Sequence, residues 1–308
     1  MSDAGGIAAI GECMLELSAA DADQWRMAFA GDTFNTLWAM RALLPNARID
    51  YVTAFGADPF SQRQIGFLRE NGIGVAASPT LAGARPGLYA ITLDGVERSF
   101  TYWRADSAAR QLASDPVALA KSLSNLRLAY FSGITLAILD NDGRRTLLHS
   151  LREARAAGTL VAFDPNYRPR LWPSPSIARE AITEALAVAD IALPTFPDEQ
   201  ELYGDETPDR TLDRLVQSGI REAVVKNGTG DALMLSDGLT STVPAQRIDD
   251  AVDTTGAGDA FNGGYLAARM SGLGGPEAAA CGHRTAAAVV RVRGALAPAQ
   301  VLRKAFEG

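Results

Sequence analysis

Apolar runs of strand length alternate with amphipathic stretches of helix length along most of this chain. Gly6 to Ile10 is a continuous apolar run that predicts a buried strand, ending in Gly11-Glu12. Phe34, Leu37, Trp38 and Arg41 follow at helical spacing, with Asp32 placed as the helix cap. Ile49 to Phe55 reads as a second strand, and Asp58 as the cap of a helix running to about Asn71. From residue 126 the alternation is regular. Strands are predicted at Leu126 to Phe131, Leu160 to Phe163, Ile191 to Leu193 and Ala223 to Val225. Helices lie between them, over Asp140 to Ala157, Ser176 to Ala189 and around Leu212 to Ser218. Two more, over Ala260 to Met270 and Ala278 to Val290, follow near the end; Gly263 and Gly264 in the first let a neighbouring backbone approach closely. This pattern predicts an α/β fold with a doubly wound, mostly parallel sheet flanked by helices. Such sheets bind ligands beyond the C-terminal ends of their strands, so functional residues belong in the segments that follow strands.

Two stretches break the rhythm. Glu16 to Phe29 is mixed and lacks a helical stripe. Leu88 to Leu93 and Val96 to Arg104 alternate like strands and are joined by Asp94-Gly95, a two-residue loop that favours a type I′ hairpin. That loop sets Leu93 opposite Val96 and Tyr89 opposite Phe100, with Tyr89, Phe100, Tyr102 and Arg104 on one face. Two phenols and a guanidinium beside a ring make a polar, cationic surface. An exposed hairpin face with a snorkelling arginine has the same pattern, and alternation alone does not separate the two.

The 308 residues are 47% apolar, enough for one large core with a small appendage. No low-complexity linker or repeat divides them, so one domain over 1–308 is expected. The net charge of -7 argues against nucleic acid or an anionic membrane as partner, and an anionic substrate needs a local cationic clamp. Cys13 and Cys281 show no metal-ligand spacing and fit a reducing cytoplasm. The first apolar run has no basic segment before it and is interrupted by Glu12 and Glu16, unlike a signal peptide, and no run has membrane-spanning length. His149 and His283 are far apart in sequence, so no histidine metal site is expected.

The chemistry centres on Asp253-Thr254-Thr255-Gly256-Ala257-Gly258-Asp259-Ala260-Phe261. Two glycines flanking a small residue let the backbone turn tightly and point several N–H groups at one spot. The helix that follows adds the positive end of its dipole, so the natural occupant is an anion such as phosphate. A carboxylate at that mouth, Asp259, is placed to orient a hydroxyl and accept its proton, although an Asp serving only as helix cap would look alike. At a helix N-terminus it is expected to be a weak base, which a loose phosphoryl-transfer transition state tolerates.

This string closely resembles the C-terminal signature of the ribokinase family, also called the phosphofructokinase-B family of sugar kinases. The resemblance covers nearly the whole chain from Gly31 onward. It implies that Asp259 is the catalytic base and that Gly256, Ala257 and Gly258 form the anion hole. It implies ATP and magnesium, with a monovalent cation such as potassium near Asp253 and Thr255. Gly31-Asp32-Thr33-x-Asn35 resembles the family's sugar-binding motif, with Ala30 replacing its first glycine, so Gly31, Asp32 and Asn35 are assigned to sugar hydroxyls. Asp164-Pro165-Asn166-Tyr167-Arg168 resembles an Asp-x-Asn-x-Arg segment, implying Asn166 near ATP phosphates and Arg168 near the sugar. Many members carry Asn-x-x-Glu where this chain has Thr195 and Asp198, with Glu199 adjacent. Thr195 is assigned to ATP, and Asp198 and Glu199 to magnesium through water. Lys226-Asn227-Gly228-Thr229-Gly230 resembles the family's ATP loop, implying Lys226, Gly228 and Gly230 near the nucleotide. No Walker string or protein-kinase Asp-Phe-Gly occurs. His283 reads as a core or surface histidine before it reads as an adenine contact.

The family also carries a small β-sheet lid, here expected from inserted segments at about 13–30 and 84–105, which often forms a dimer contact. A homo-oligomer through the lid follows. The Phe-x-Tyr-Trp-Arg string, with Pro86-Gly87-Leu88-Tyr89 before it, looks like the 2-keto-3-deoxygluconate kinase subgroup, implying that Tyr89, Tyr102 and Arg104 contact a sugar acid, with Arg168 as a second cation. Guanidinium pairs well with carboxylate, whereas a neutral sugar has no such need. The expectation is ATP-dependent phosphorylation of 2-keto-3-deoxygluconate at its terminal primary hydroxyl, giving the 6-phosphate. The alternatives are a kinase for a neutral sugar such as fructose or ribose, and a sugar- or nucleotide-binding protein without catalysis.

Overall fold

A computed structural model describes residues 5–21, 24–94 and 97–307. Its larger sheet has the strand order Leu239–Val243, Gly230–Ser236, Glu222–Asn227, Ile191–Ala192, Leu160–Asp164, Leu126–Ser132, Gly6–Ile10, Ile49–Val52. From Glu222–Asn227 to Ile49–Val52 all neighbours run parallel. Helices cover both faces, which is why strands such as Gly6–Ile10 are buried along their whole length and read as continuous apolar runs. The last two strands at one end of the sheet, Gly230–Ser236 and Leu239–Val243, are antiparallel and were not anticipated. Their signal was present: Asp237-Gly238 joins them with φ of 53° and 76° at the two residues, as a type I′ turn requires. The expected strand from Ile49 to Phe55 is split, because Phe55–Gly56 leaves the sheet to pair with Thr80–Leu81.

The mixed stretch from Glu16 to Phe29 is a hairpin, Met14–Asp21 with Gln24–Ala30. Together with Leu88–Asp94 and Glu97–Trp103 it forms a separate four-stranded sheet. The hairpin register differs from the expected one. Tyr89 stands opposite Tyr102 and Ile91 opposite Phe100, a shift of two residues, with Asp94 paired to Glu97. The loop at Gly95 and Val96 lies outside the described residues. Because side chains alternate with period two, an even shift keeps the same residues on the same face. Met14, Ala30, Tyr89 and Ile91 therefore pack with Phe100 and Tyr102 on the inner face.

The helix Asp32–Leu43 corrects another expectation. Its N-cap is Gly31, and Asp32 lies inside the first turn with no side-chain cap bond. Gly31 is required there because a Cβ would sit 2.1 Å from the Glu12 carbonyl oxygen. Asp58 does cap its helix, accepting from the amides of Phe60 and Ser61. The helix Ala257–Met270 crosses Asp32–Leu43 at close range: a Cβ on Gly263 would lie 2.7 Å from the Thr36 carbonyl oxygen. On its other side Gly264 admits Thr285, whose Oγ1 would be 2.3 Å from an added Cβ. These contacts bring two helix N-termini, distant in sequence, to one place.

Candidate active site

Asp259 and Asn35 sit in the first turns of those two helices, and Asn35 Nδ2 donates to Asp259 Oδ2 at 2.8 Å. Thr36 Oγ1 adds a bond to the Asp259 carbonyl oxygen at 3.1 Å. Asp32 lies beside them, its carboxylate accepting from Asn166 Nδ2 at 2.9 Å. Asp259 lines a cavity. Burial and the neighbouring negative charge of Asp32 push its pKa up to about 7, against the lowering effect of the Asn35 hydrogen bond. Asp32 is also raised, chiefly by burial, and restrained by hydrogen bonds from Ser132, the Thr33 amide and Asn166. The weak base expected from the helix terminus alone is thus corrected: desolvation and a second carboxylate outweigh the dipole.

Gly256 turns the chain into the helix with φ of 76°, and a Cβ there would lie 2.6 Å from Ala295 Cβ. The Ala257 amide is engaged by the Thr254 carbonyl at 3.2 Å. Of the three residues expected at the anion hole, Gly258 stands where helix amides have no carbonyl one turn earlier. Lys226 Nζ lies 3.9 Å from where a Gly258 Cβ would be. The ammonium is held from beneath by Asp164 Oδ2 and Asn262 Oδ1, each at 2.8 Å, and Asn262 Nδ2 bonds Asp164 at 2.7 Å. Asn262 was missed in the sequence, although its position three residues after Asp259 puts it on the same helix face.

The cavity has a volume of about 390 Å³, with Asp259, Asn35, Asp32 and Gly31 along one side and Tyr89, Phe100, Tyr102 and Arg104 of the small sheet along the other. Tyr89 stacks on Tyr102 at 5.6 Å between centroids and donates its hydroxyl to Glu16. Arg104 forms a buried ion pair with Glu12. Glu12 was read only as a break in the first apolar run, yet it directly follows a strand of the parallel sheet, where ligand-facing residues are expected. Arg168 reaches the same cavity and donates to Asp198 Oδ2 at 2.9 Å. Arg170, two residues on and also missed, lies over the Tyr102 ring at 4.3 Å.

Residues 5–301 match the model of the pfkB family of carbohydrate kinases. The chain belongs to this family. It is 42% identical to a 2-dehydro-3-deoxygluconokinase of Dickeya dadantii, over 96% of this chain and 98% of that protein. It is 41% identical to the enzyme of the same name from Escherichia coli K12, with the same coverage. Among solved structures, a PfkB protein from Polaromonas matches with a TM-score of 0.84 and 26% identity, over 97% of this chain and 99% of that one. A 2-dehydro-3-deoxygluconokinase from Thermotoga maritima matches at 0.85 and 20% identity, over 99% and 100%, which shows a shared fold.

For a carbohydrate kinase of this family the remaining residues are placed as follows. Asn166, expected at ATP phosphates, is turned toward Asp32, held by an Asx turn through Asp164 Oδ1 and by an unusual φ of 35°. Thr195 bridges to Lys226 across neighbouring strand ends. Gly228 and Gly230 belong to the tight hairpin after Asn227, with φ of 57° at Gly228. Asp198 is partly buried against Arg168, whereas Glu199 is fully buried and bonded to Arg214 at 2.7 Å. Burial lifts the Glu199 pKa to about 7. Asp253 accepts from the amides of Thr255 at 3.0 Å and Gly294 at 2.7 Å, tying the loop before the helix to that after Val290. His283 packs edge-on against Phe261 at 5.0 Å, and burial lowers its pKa. Among the described residues, no group of three or more His, Cys, Asp or Glu is gathered as a metal site, and no helix is long and apolar enough to cross a membrane.

Proposed function

We propose that this kinase transfers the γ-phosphoryl group of ATP to the terminal primary hydroxyl of 2-dehydro-3-deoxygluconate, the 2-keto-3-deoxygluconate expected above, giving the 6-phosphate. The observation that carries the reading is the polarity of one cavity, with a raised-pKa carboxylate, Asp259, at one side and Tyr102, Arg104, Arg168 and Arg170 across it. A chain-like sugar acid fits with its hydroxyl at Asp259 and its carboxylate toward the guanidinium groups.

Asp259 orients the hydroxyl and takes its proton as the bond to phosphorus forms. Asp32, steadied by Asn166, accepts from a neighbouring sugar hydroxyl, and Asn35 favours the ionised form of Asp259. The Gly258 amide, the helix terminus and Lys226 meet the charge on the transferring phosphoryl oxygens. Thr195, Gly228 and Gly230 line the nucleotide side with Lys226. Magnesium bound with the nucleotide would supply charge neutralisation, and Asp198 is the carboxylate that would hold it through water. The backbone around Asp253 and Thr255 is the place for a potassium ion. The small sheet, from segments 13–30 and 84–105 of a single domain, acts as lid. Its outer face exposes Trp25 at 47% and Trp103 at 57%, which supports a homo-oligomer formed through it.

A neutral-sugar reading has one observation in its favour, since Arg104 and Arg168 already carry acidic partners. ADP release from ATP, measured with 2-dehydro-3-deoxygluconate, gluconate, fructose and ribose, with magnesium and with or without potassium, separates the readings. Strong preference for the keto-deoxy acid is expected; preference for fructose or ribose would discard the substrate while keeping Asp259. Loss of association in a Trp25→Ser, Trp103→Ser variant, read by light scattering, tests the lid contact.

A further inference from the structure

Three guanidinium groups border the sugar cavity, and two of them are already matched by acids. Arg104 is paired with Glu12, and Arg168 with Asp198. Among the described residues Arg170 has no acidic partner, and its guanidinium lies over the Tyr102 ring at 4.3 Å. Its backbone is fixed although its side chain is exposed. It sits in the single turn Pro169–Leu171, closed by Leu171 N to Arg168 O at 2.9 Å and Trp172 N to Pro169 O at 3.1 Å. Tyr167 and Trp172, on either side, are anchored in the main core. Tyr102 belongs to the small sheet, so this cation–ring contact joins the two walls of the cavity. Of the three guanidinium groups, Arg170 alone carries a positive charge that no acid matches among the described residues.

We propose that Arg170 is a specificity-determining residue that binds the carboxylate of the substrate, with Tyr102 as the platform that holds its guanidinium plane. This rests on the sugar-acid reading given above. Stacking leaves the edge N–H groups of the guanidinium free to bond two carboxylate oxygens, while the ring face offsets its charge when no substrate is present. A neutral sugar gains nothing from it.

The test compares Arg170→Met and Arg170→Lys with the parent enzyme, using 2-dehydro-3-deoxygluconate and a neutral sugar. Met keeps the length and the contact with Tyr102 but removes the charge; Lys keeps the charge without the fork. For the acid, Arg170→Met is expected to raise KM about tenfold or more with little change in kcat, and Arg170→Lys to recover part of the loss. KM for the neutral sugar stays the same, and the fall of kcat/KM with added salt becomes shallower in Arg170→Met. Unchanged KM for the acid in Arg170→Met overturns the assignment while leaving the substrate reading in place. Equal losses for acid and neutral sugar also overturn it, because a strut between the two walls would act on both. A parent enzyme that does not prefer the acid overturns both readings, and that is seen before any variant is made.

Discussion

Asn35 donates a 2.8 Å hydrogen bond to the carboxylate of Asp259, across 224 residues of sequence. The donor favours the ionised carboxylate, while burial and Asp32 oppose it, and the balance leaves Asp259 near pKa 7. Below that value the base is protonated and unable to accept. The log of kcat/KM is expected to rise with unit slope up to about pH 7 and then level off. A profile flat down to about pH 5 would remove Asp259 from that role.

Removing the donor should move that limb. In Asn35→Ala the charged carboxylate loses support, so the midpoint shifts upward and the loss of activity is greater at about pH 6 than at about pH 8.5. A uniform loss at every pH would mean that Asn35 serves only the sugar.

Asp259→Asn should keep ligand binding and lose about 10²–10⁴-fold in turnover. It should also stabilise the fold, with a definite sign in pH. An acid whose pKa is raised on folding, here from 3.8 to about 7, contributes most below its unfolded value, and that contribution is lost as pH rises through 7. The Tm of the variant should exceed that of the parent by a few degrees at about pH 8, equivalent to roughly 1–3 kcal/mol, and by much less near pH 5. A gap that closes as pH rises would contradict the buried, raised carboxylate.

Lys226→Met strands the buried Asp164 without its cation. Losing one partner of a buried pair costs about 3–5 kcal/mol, and adding Asp164→Asn should recover part of it. Urea unfolding of the two single variants and the double gives the coupling. Simple additivity would show that the 2.8 Å contact carries no interaction energy.

The helix crossing offers a test that links packing to chemistry. Gly263→Ala puts a methyl 2.7 Å from the Thr36 carbonyl oxygen, in the helix pair that carries Asn35 and Asp259. It should cost about 1–3 kcal/mol and lower kcat as well. Gly66→Ala, with nothing within 4 Å in the helix Pro59–Glu70, should instead stabilise by about 0.5–1 kcal/mol and leave kcat alone.

The sequence by itself determined the parallel sheet, because strands buried on both faces must be continuous apolar runs and their connecting helices must be amphipathic. It determined the turn into the last long helix pair, because Gly256 is needed where the backbone is left-handed. It also named Asp259, Asp32, Asn35, Tyr102 and Arg104 as candidates, through motifs whose resemblance to the family added what alternation and helix starts left open. The hairpin's inner face survived a wrong register because the error was even. Only the tertiary structure decided what these residues meet. Asn166 turned to Asp32, Glu12 claimed Arg104, and Arg214 claimed Glu199, because a buried charge takes whichever partner packing brings within reach, and that partner lies from 15 to 134 residues away. The pKa of Asp259 was decided the same way: a helix terminus is visible in the sequence, but the second carboxylate beside it and the exclusion of water come from two helices crossing at a glycine.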